Sequence, residues 1–514
     1  MTKNQTVIVT DPASVAALKG LYEANPEQFA HWKFSAADQV KIKPRDEEKI
    51  EVGDGAVTGL GLKGKKINEL SPLTGLTKLL WLDLSHNEIS VLTPLAGLNK
   101  LTNLNLACNK VSDLTPLTGL NKLINLDLAV NDVSDLTPLV GLTNMTTLDL
   151  SHTEVNDIAP LAGLTELKSL DLSMDLSMNK INDFTPLAGL NKLDDLDLAG
   201  NEVNDITPLA GLTKLTNLKL WFNEVRDLAP LAGLTELTEL DLHENKISDL
   251  TPLAGLTKLK KLKLFINYVS DLAPLAGLTT LTSLELSFNE VSDLTPLAGL
   301  TRLTNLELFK NYISDLTPLT GLTKLTILDL GLNKVTDLAP LTGLKKLTGL
   351  GLDKNEIRDL APLAGLTMLT ELRLGYNKVR SLIPLAGLKK LTRLRLDKNK
   401  ISNLAPLAGL TTLIKLGLSK NKVNDLTSLA KLTKLSWLDL FANKVGDLTP
   451  LAGLAMLTWL DLVDNKVSDL SPLAGLKKLE RLNLGHKKID LLPLAGLQKL
   501  EIKNMGYSMD FRKW

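Results

Sequence analysis

Leucines recur through this chain in a fixed order, and the order repeats every 22 residues. One copy sets apolar residues at Leu237, Leu240, Leu242, Ile247, Leu250, Leu253 and Leu256, with Asn245, Pro252 and Gly255 at set points between them. Leu240 and Leu242 stand two apart around Asp241, the period of a strand, so both leucines face inward and the aspartate faces out. Ile247, Leu250, Leu253 and Leu256 then fall at every third position, which fits 3₁₀ turns better than an α-helix. Pro252 suits the first turn because it has no N–H to satisfy, and Gly255 is expected to let the chain bend back. Each repeat is therefore predicted to be a coil of one short strand and one tight return leg. A lone coil buries too little to offset the entropy of ordering it, so neighbours must stack and share their leucine layers. The inward Asn245 is expected to satisfy backbone groups of adjacent turns.

A fixed period of this length defines the fold class. The pattern L-x-x-L-x-L-x-x-N-x-I/V-x-D-L-x-P-L-x-G-L-x-x is that of a leucine-rich repeat, and it predicts an α/β solenoid: a horseshoe with a parallel concave sheet and mostly 3₁₀ turns on the convex side. The ladder asparagine stands at 87, 109 and 131, then from 179 every 22 residues to Asn465, while Lys65, Thr153 and Lys487 take its place in other copies, which makes about 20 units. Residues 1–48 lack the period. Asp11 with Pro12, and then Pro26, read as helix starts, so this segment is expected to be a helical N-terminal cap and linker. The solenoid is expected over 49–502, with Ile50–Val52 as a possible first strand, and a C-terminal cap over 503–514. The segment from Asp171 reads DLSM twice and delays one ladder residue to Asn179, which predicts a bulge or bend there.

Composition narrows the chemistry. Lys plus Arg equals Asp plus Glu at 58 each, so no bulk charge favours nucleic acid or an anionic membrane. One cysteine, Cys108, and five scattered histidines supply neither a disulfide nor a metal-ligand set. No cofactor is expected. No apolar run is long enough to span a membrane. Gly59, Gly61 and Gly64 spell G-x-G-x-x-G, but Leu60 and Leu62 between them are strand leucines and no helix start follows, so a dinucleotide site is not expected. Cys108 lies one coil from His86 in the equivalent slot; a nucleophile–base pair there is the enzymatic alternative, and the chain is read as not an enzyme.

The recurring phrase SDLTPLAGLTKLK, from Ser248 to Lys260, resembles the 22-residue repeats of bacterial internalins and the related phosphatase-regulator class of intracellular repeat proteins. That resemblance implies a non-enzymatic scaffold that grips a protein partner on its concave face, or alternatively a regulatory subunit of an enzyme such as a phosphatase. No signal peptide, immunoglobulin-like domain or wall-anchoring motif is visible, so the cytoplasm is the default location, with the bacterial surface or secretion as the alternative. A monomer is expected.

Aromatic residues locate the expected partner surface. Between residues 57 and 500 nearly all of them fall on strand-side positions near the ladder residue, and Phe184, in a core leucine's place, is the exception. Trp221, Phe222, Phe265, Tyr268, Phe288, Phe309, Tyr312 and Tyr376 form a stripe, and aromatic side chains are enriched at interface hot spots. Acids from Asp83 to Asp329 line the slot between the strand leucines. Arg373 and Arg395, with Arg393 and lysines such as Lys398 and Lys400, are expected to break that line with a basic island that orients the partner.

Overall fold

The computed structural model describes residues 7–35, 39–42, 48–174, 181–485 and 489–503. Part of the expected linker (43–47), the second half of the DLSM duplication with its expected bulge, the ladder residues Asn179 and Lys487, and nearly all of the expected C-terminal cap lie outside the described residues. The chain forms two compact units, Met1–Leu259 and Lys260–Trp514.

The first unit opens with strand Val7–Val9, helix Pro12–Ala24, a single helical turn at Pro26–Phe29, and strands Lys33–Ser35 and Gln39–Ile42. The three strands make a small antiparallel sheet with Gln39–Ile42 in the middle. Sequence periodicity pointed only to helices here, because strands of three or four residues carry too short a pattern to stand out from loop. Asp11 caps the helix by accepting from the Ser14 N–H at 2.9 Å and from its hydroxyl at 2.8 Å. The Ser14 Oγ in turn accepts the Val57 N–H at 3.0 Å, which ties the cap to the first coil. Val15, Leu18 and Leu21 are buried, and the helix packs on the 3₁₀ turn Ser71–Gly75. Gly20 permits that approach: a Cβ there would lie 3.0 Å from that of Pro72.

Strand Glu48–Gly53 then pairs antiparallel with Ala56–Leu62, and from that strand onward the pairing is parallel, through three-residue strands from Trp81–Asp83 to Glu239–Asp241. Central leucines sit opposite one another, as Leu82 does to Leu104 and Leu218 to Leu240. Leu170 still pairs with Leu196 although the extra residues lie between them. A slip of one residue would turn every strand leucine outward, so the added length is shed outside the strand and the register holds. The return legs are runs of i to i+3 bonds: the Leu253 N–H donates to Leu250 O at 2.9 Å and the Leu256 N–H to Leu253 O at 3.0 Å. This brings every third leucine to one buried face. Phe184 is buried in its leucine slot.

Asn245 acts as expected of the ladder. Its Nδ2 donates to Leu242 O in its own coil and to Leu220 O in the coil before, while its Oδ1 accepts the Val225 N–H at 3.0 Å. Thr153 keeps only the local half, donating to Leu150 O at 2.7 Å.

The bend expected of Gly255 is made elsewhere. Gly255 has no positive φ; the left-handed residue is the one just before the ladder position. In the first unit these are Gly64, His86, Cys108, Val130, His152, Gly200, Phe222 and Glu244. Only two of the eight are glycine, so the coil carries backbone strain of about 1–2 kcal/mol at most of them. Val130, β-branched and 46% exposed, is the clearest case. Val130→Asn is expected to raise the stability of the first unit by about 1 kcal/mol, because asparagine tolerates this conformation and little buried surface is lost. Thermal melts of the two proteins check this; an unchanged or lower midpoint would count against strain at this slot.

The second unit repeats the construction from strand Lys261–Lys263 to strand Glu501–Lys503, all parallel, with Leu328 opposite Leu350 and the ladder asparagines bonded in the same way. Its left-handed slots hold Ile266, Phe288, Lys310, Leu332, Lys354, Tyr376, Lys398, Lys420, Ala442 and Asp464, among the described residues.

Candidate functional site

Three kinds of slot display side chains on the strand side of each unit: the outward slot between the strand leucines, the slot two before the ladder residue, and the pair flanking that residue. The left-handed turn swings the side chain just before the ladder residue out to the rim. Phe222, Phe288 and Tyr376 stand there, with φ of 54°, 56° and 58°. Because almost every coil has this kink whatever residue fills it, the strain belongs to the coil and does not mark these rings as a site.

In the first unit Trp221 and Phe222 are half-buried. Trp221 stacks on His243, with centroids 5.1 Å apart and planes 6° apart, and Asp241 holds the imidazole through Nδ1 at 2.5 Å. The stack is pre-organised, since both rings are fixed before anything meets them.

In the second unit Phe265 and Phe309 are half-buried, whereas Phe288, Tyr268 and Tyr312 are 41%, 56% and 53% exposed. Phe288 and Phe309 meet at 5.4 Å with tilted planes. Gly331 makes room for Phe309, since a Cβ there would lie 2.7 Å from the ring. A notch of about 270 Å³ opens between Tyr268 and Tyr312, with Phe288, Glu290, Lys310 and Leu332 among its lining. Lysines lie over several of these rings: Lys310 over Phe288 at 4.8 Å, Lys334 over Tyr312 at 5.3 Å, and Lys354 and Lys398 over Tyr376 at 5.7 and 4.9 Å.

The arginines are not displayed as the basic island required. Arg373 lies between Asp329 (2.5 Å) and Asp353 (3.5 Å), Arg395 is buried against Asp397 at 2.6 Å, and the more exposed Arg393 meets Glu371 at 3.2 Å. The reason lies in what the acidic line does. An aspartate in the outward slot accepts the N–H two residues on: Asp83 from Ser85, Asp149 from Ser151 and Asp329 from Gly331, each at 2.9–3.0 Å. Arg373 and Gly417 cannot do this. The orphaned Gly375 N–H is taken by Asp353 of the preceding coil at 2.8 Å, and the Ser419 N–H by Asp397 at 3.0 Å. Burial pushes Asp353 up to about 6, with Arg395, Arg373 and the Gly375 N–H opposing the shift. Burial likewise pushes Asp439 well up, with Asp397 adding to it. In the first unit burial, with Asp197 beside it, pushes Asp171 to about 6.

A second hollow, of about 290 Å³, escaped the sequence reading. It lies in the first unit among Trp81, Asp83, Asn103, Asn105, Asn125, Asp127, Thr147 and Asp149, over a floor of Leu82, Leu104 and Leu126. The signal was the small residues Ala107 and Ala129 where other coils carry rings. Trp81 is fixed at its edge by donating to Glu51 at 2.7 Å. His86 and Cys108, the enzymatic alternative, make no side-chain hydrogen bond among the described residues, and no group of three or more candidate metal ligands occurs among them. No described helix is long and apolar enough to cross a membrane.

Stacked strand–turn coils with an asparagine ladder define a leucine-rich-repeat solenoid, a class of protein-interaction scaffolds. The chain belongs to the leucine-rich-repeat family: the two-copy repeat model matches residues 77–119, 143–189, 213–255, 235–277, 279–321, 367–409 and 456–499, more than half of it. It is internalin-like. An internalin, InlF of Listeria monocytogenes, is 31% identical, with 66% of this chain and 87% of that one covered and a TM-score of 0.50. A Leptospira interrogans leucine-rich-repeat protein is 24% identical over 85% of this chain and 99% of its own, with a TM-score of 0.55. A plant peptide hormone receptor, RGFR1, in complex with RGF2, is 21% identical over 89% and 82%, with a TM-score of 0.68. The last two share the fold alone. No curated protein matches the chain in sequence.

Proposed function

We propose that this chain is a non-enzymatic scaffold that holds a protein partner on its strand side, with bulky apolar side chains of the partner seated in the notch between Tyr268, Phe288 and Tyr312. The observation that carries this reading is the segregation of ring from leucine: Phe184 apart, the coil interior is aliphatic, while the other repeat aromatics stand on the strand side, three of them more than 40% exposed. Large exposed apolar groups grouped around a concavity are costly in water and mark interaction surfaces. The plant receptor of the same fold carries a peptide in its complex, which agrees with this reading.

Peptides selected from a display library against the whole chain test it. They are expected to carry a bulky apolar residue, and to bind at least ~30-fold more weakly to a Tyr268→Ala, Phe288→Ala, Tyr312→Ala variant, the factor one 2 kcal/mol hot spot supplies. These side chains are exposed, so the variant should melt near the parent temperature. Peptides that bind both proteins equally would sink the reading.

A further inference from the structure

The slot just after the ladder residue shows how this chain ordinarily handles charge. Where a lysine follows a glutamate in the next coil the two pair: Lys110 with Glu88 at 3.9 Å, Lys246 with Glu224, and Lys378 with Glu356 at 2.7 Å. From Asn399 to Asn465 that arrangement stops. Lys400, Lys422, Lys444 and Lys466 occupy the slot in four successive coils, all exposed, and none has an ion-pair partner among the described residues. Lys398 and Lys420 add to the same rim from the left-handed slot, and Asp464 is the one carboxylate those two slots contribute over these coils. Like charges set side by side in neighbouring coils repel. A glutamate in any one of these slots would have relieved the repulsion, as it does elsewhere in the same column. Elsewhere in the column like charges stand together only in pairs, as Asp132 with Glu154 and Glu202 with Glu224, so four successive lysines with no carboxylate among them point outward, to an anion the molecule does not itself supply.

We propose that this lysine ridge docks an extended acidic peptide segment of the protein partner. The proposal deepens the scaffold reading above and rests on it for the partner being a protein. Four coils at about 4.8 Å spacing make a row of about 14 Å. An extended chain spans that in about four residues, so a segment of four or five consecutive acidic residues runs the length of the row. A single nucleic-acid strand fits less well, because it needs open ring faces on which bases stack. Rings in and beside these coils are already engaged: Lys398 lies over Tyr376 at 4.9 Å, Lys420 over Phe441 at 5.5 Å, and Trp437 and Trp459 stack on each other at 4.3 Å.

Binding of a fluorescent decaglutamate to the full chain, followed by anisotropy at rising salt, tests the proposal. The parent is expected to bind it, with affinity falling as salt rises. A variant with Lys400, Lys422, Lys444 and Lys466 all changed to Gln should bind roughly tenfold or more weakly, the factor four exposed ion pairs supply together. It should melt no lower than the parent, since a repulsion is removed. The matching Arg variant should retain binding. No decaglutamate binding at low salt, or equal binding by the Gln variant, overturns the proposal, and so does a thymidine oligonucleotide that displaces the peptide at a lower concentration. The Tyr268, Phe288, Tyr312 triple-alanine variant should still bind decaglutamate. Its loss of selected apolar peptides reports on the notch, so failure of either surface is read apart from the other.

Discussion

Replacing Asn311 by alanine is expected to destabilise the second unit by about 3–5 kcal/mol. The Asn311 Oδ1 accepts the Val291 N–H at 2.9 Å, and its Nδ2 donates to Leu286 O at 2.9 Å and Leu308 O at 3.2 Å. The residue is 5% exposed, so water cannot replace these bonds in the folded coil. Alanine would orphan the buried Val291 N–H, at about 1–3 kcal/mol, and remove one of two bonds from Leu286 O and Leu308 O, which keep Asn289 and Asn333, at about 0.5–1.5 kcal/mol each, where an exposed substitution usually changes stability by no more than about 0.5. Coils depend mainly on their nearest neighbours, so the loss should appear as an early, separate step in urea denaturation followed by circular dichroism. Asn311→Thr should cost less, because Thr153 already shows how a hydroxyl keeps the bond within the coil while giving up the link to the coil before. A single transition shifted by less than about 0.5 kcal/mol would show that leucine layers, and not the ladder, hold the coils together.

Stability is also expected to rise as pH is lowered from 7 to about 5, the reverse of ordinary acid denaturation. Asp171 and Asp353 are each raised to about 6 by burial, against about 3.9 in an unfolded chain. Between these values the folded chain holds protons that the unfolded chain has released, so stability is gained as pH falls through that window, by about 1–3 kcal/mol for each carboxyl. Asp127, Asp439 and Asp461, also raised by burial, act in the same direction. A second set of aspartates, at the start of the return legs, behaves oppositely. Asp113, Asp249 and Asp293 are held below the usual range by the hydroxyl and N–H of the threonine two residues on. Their contribution is present above the unfolded value near 3.9 and is lost as pH falls below it. The chain should therefore be most stable near pH 4–5 and lose stability on both sides. Urea midpoints measured from pH 3 to 8 check the profile, and the double variant Asp171→Asn, Asp353→Asn should flatten its alkaline limb. A midpoint that climbs steadily from pH 5 to 8 would mean these carboxylates are better solvated than their surroundings indicate.

Periodicity along the chain was enough to read the coil. The two-residue step of Leu240 and Leu242, the three-residue step from Ile247 to Leu256 and the recurring asparagine each encode contacts within a coil or between adjacent coils, and those depend only on spacing. The placement of aromatic side chains on the strand side was legible for the same reason. Other features were decided by neighbours 22 or more residues away. Spacing alone does not tell that Arg373 is caught by Asp329, two coils back, or that Asp353 takes the N–H left open by the arginine in the next coil. Nor does it reveal the left-handed turn before the ladder residue, because the chain fills that slot with valine, phenylalanine and lysine where backbone preference alone would ask for glycine. Stacking decides there: the amide of that residue must reach the next coil, as the Phe288 N–H does to Phe309 O at 2.7 Å, and the cooperative sheet imposes a turn the local sequence would not choose. Sequence thus determined which side chains share a face, and tertiary packing decided which of those charges remain free to meet a partner.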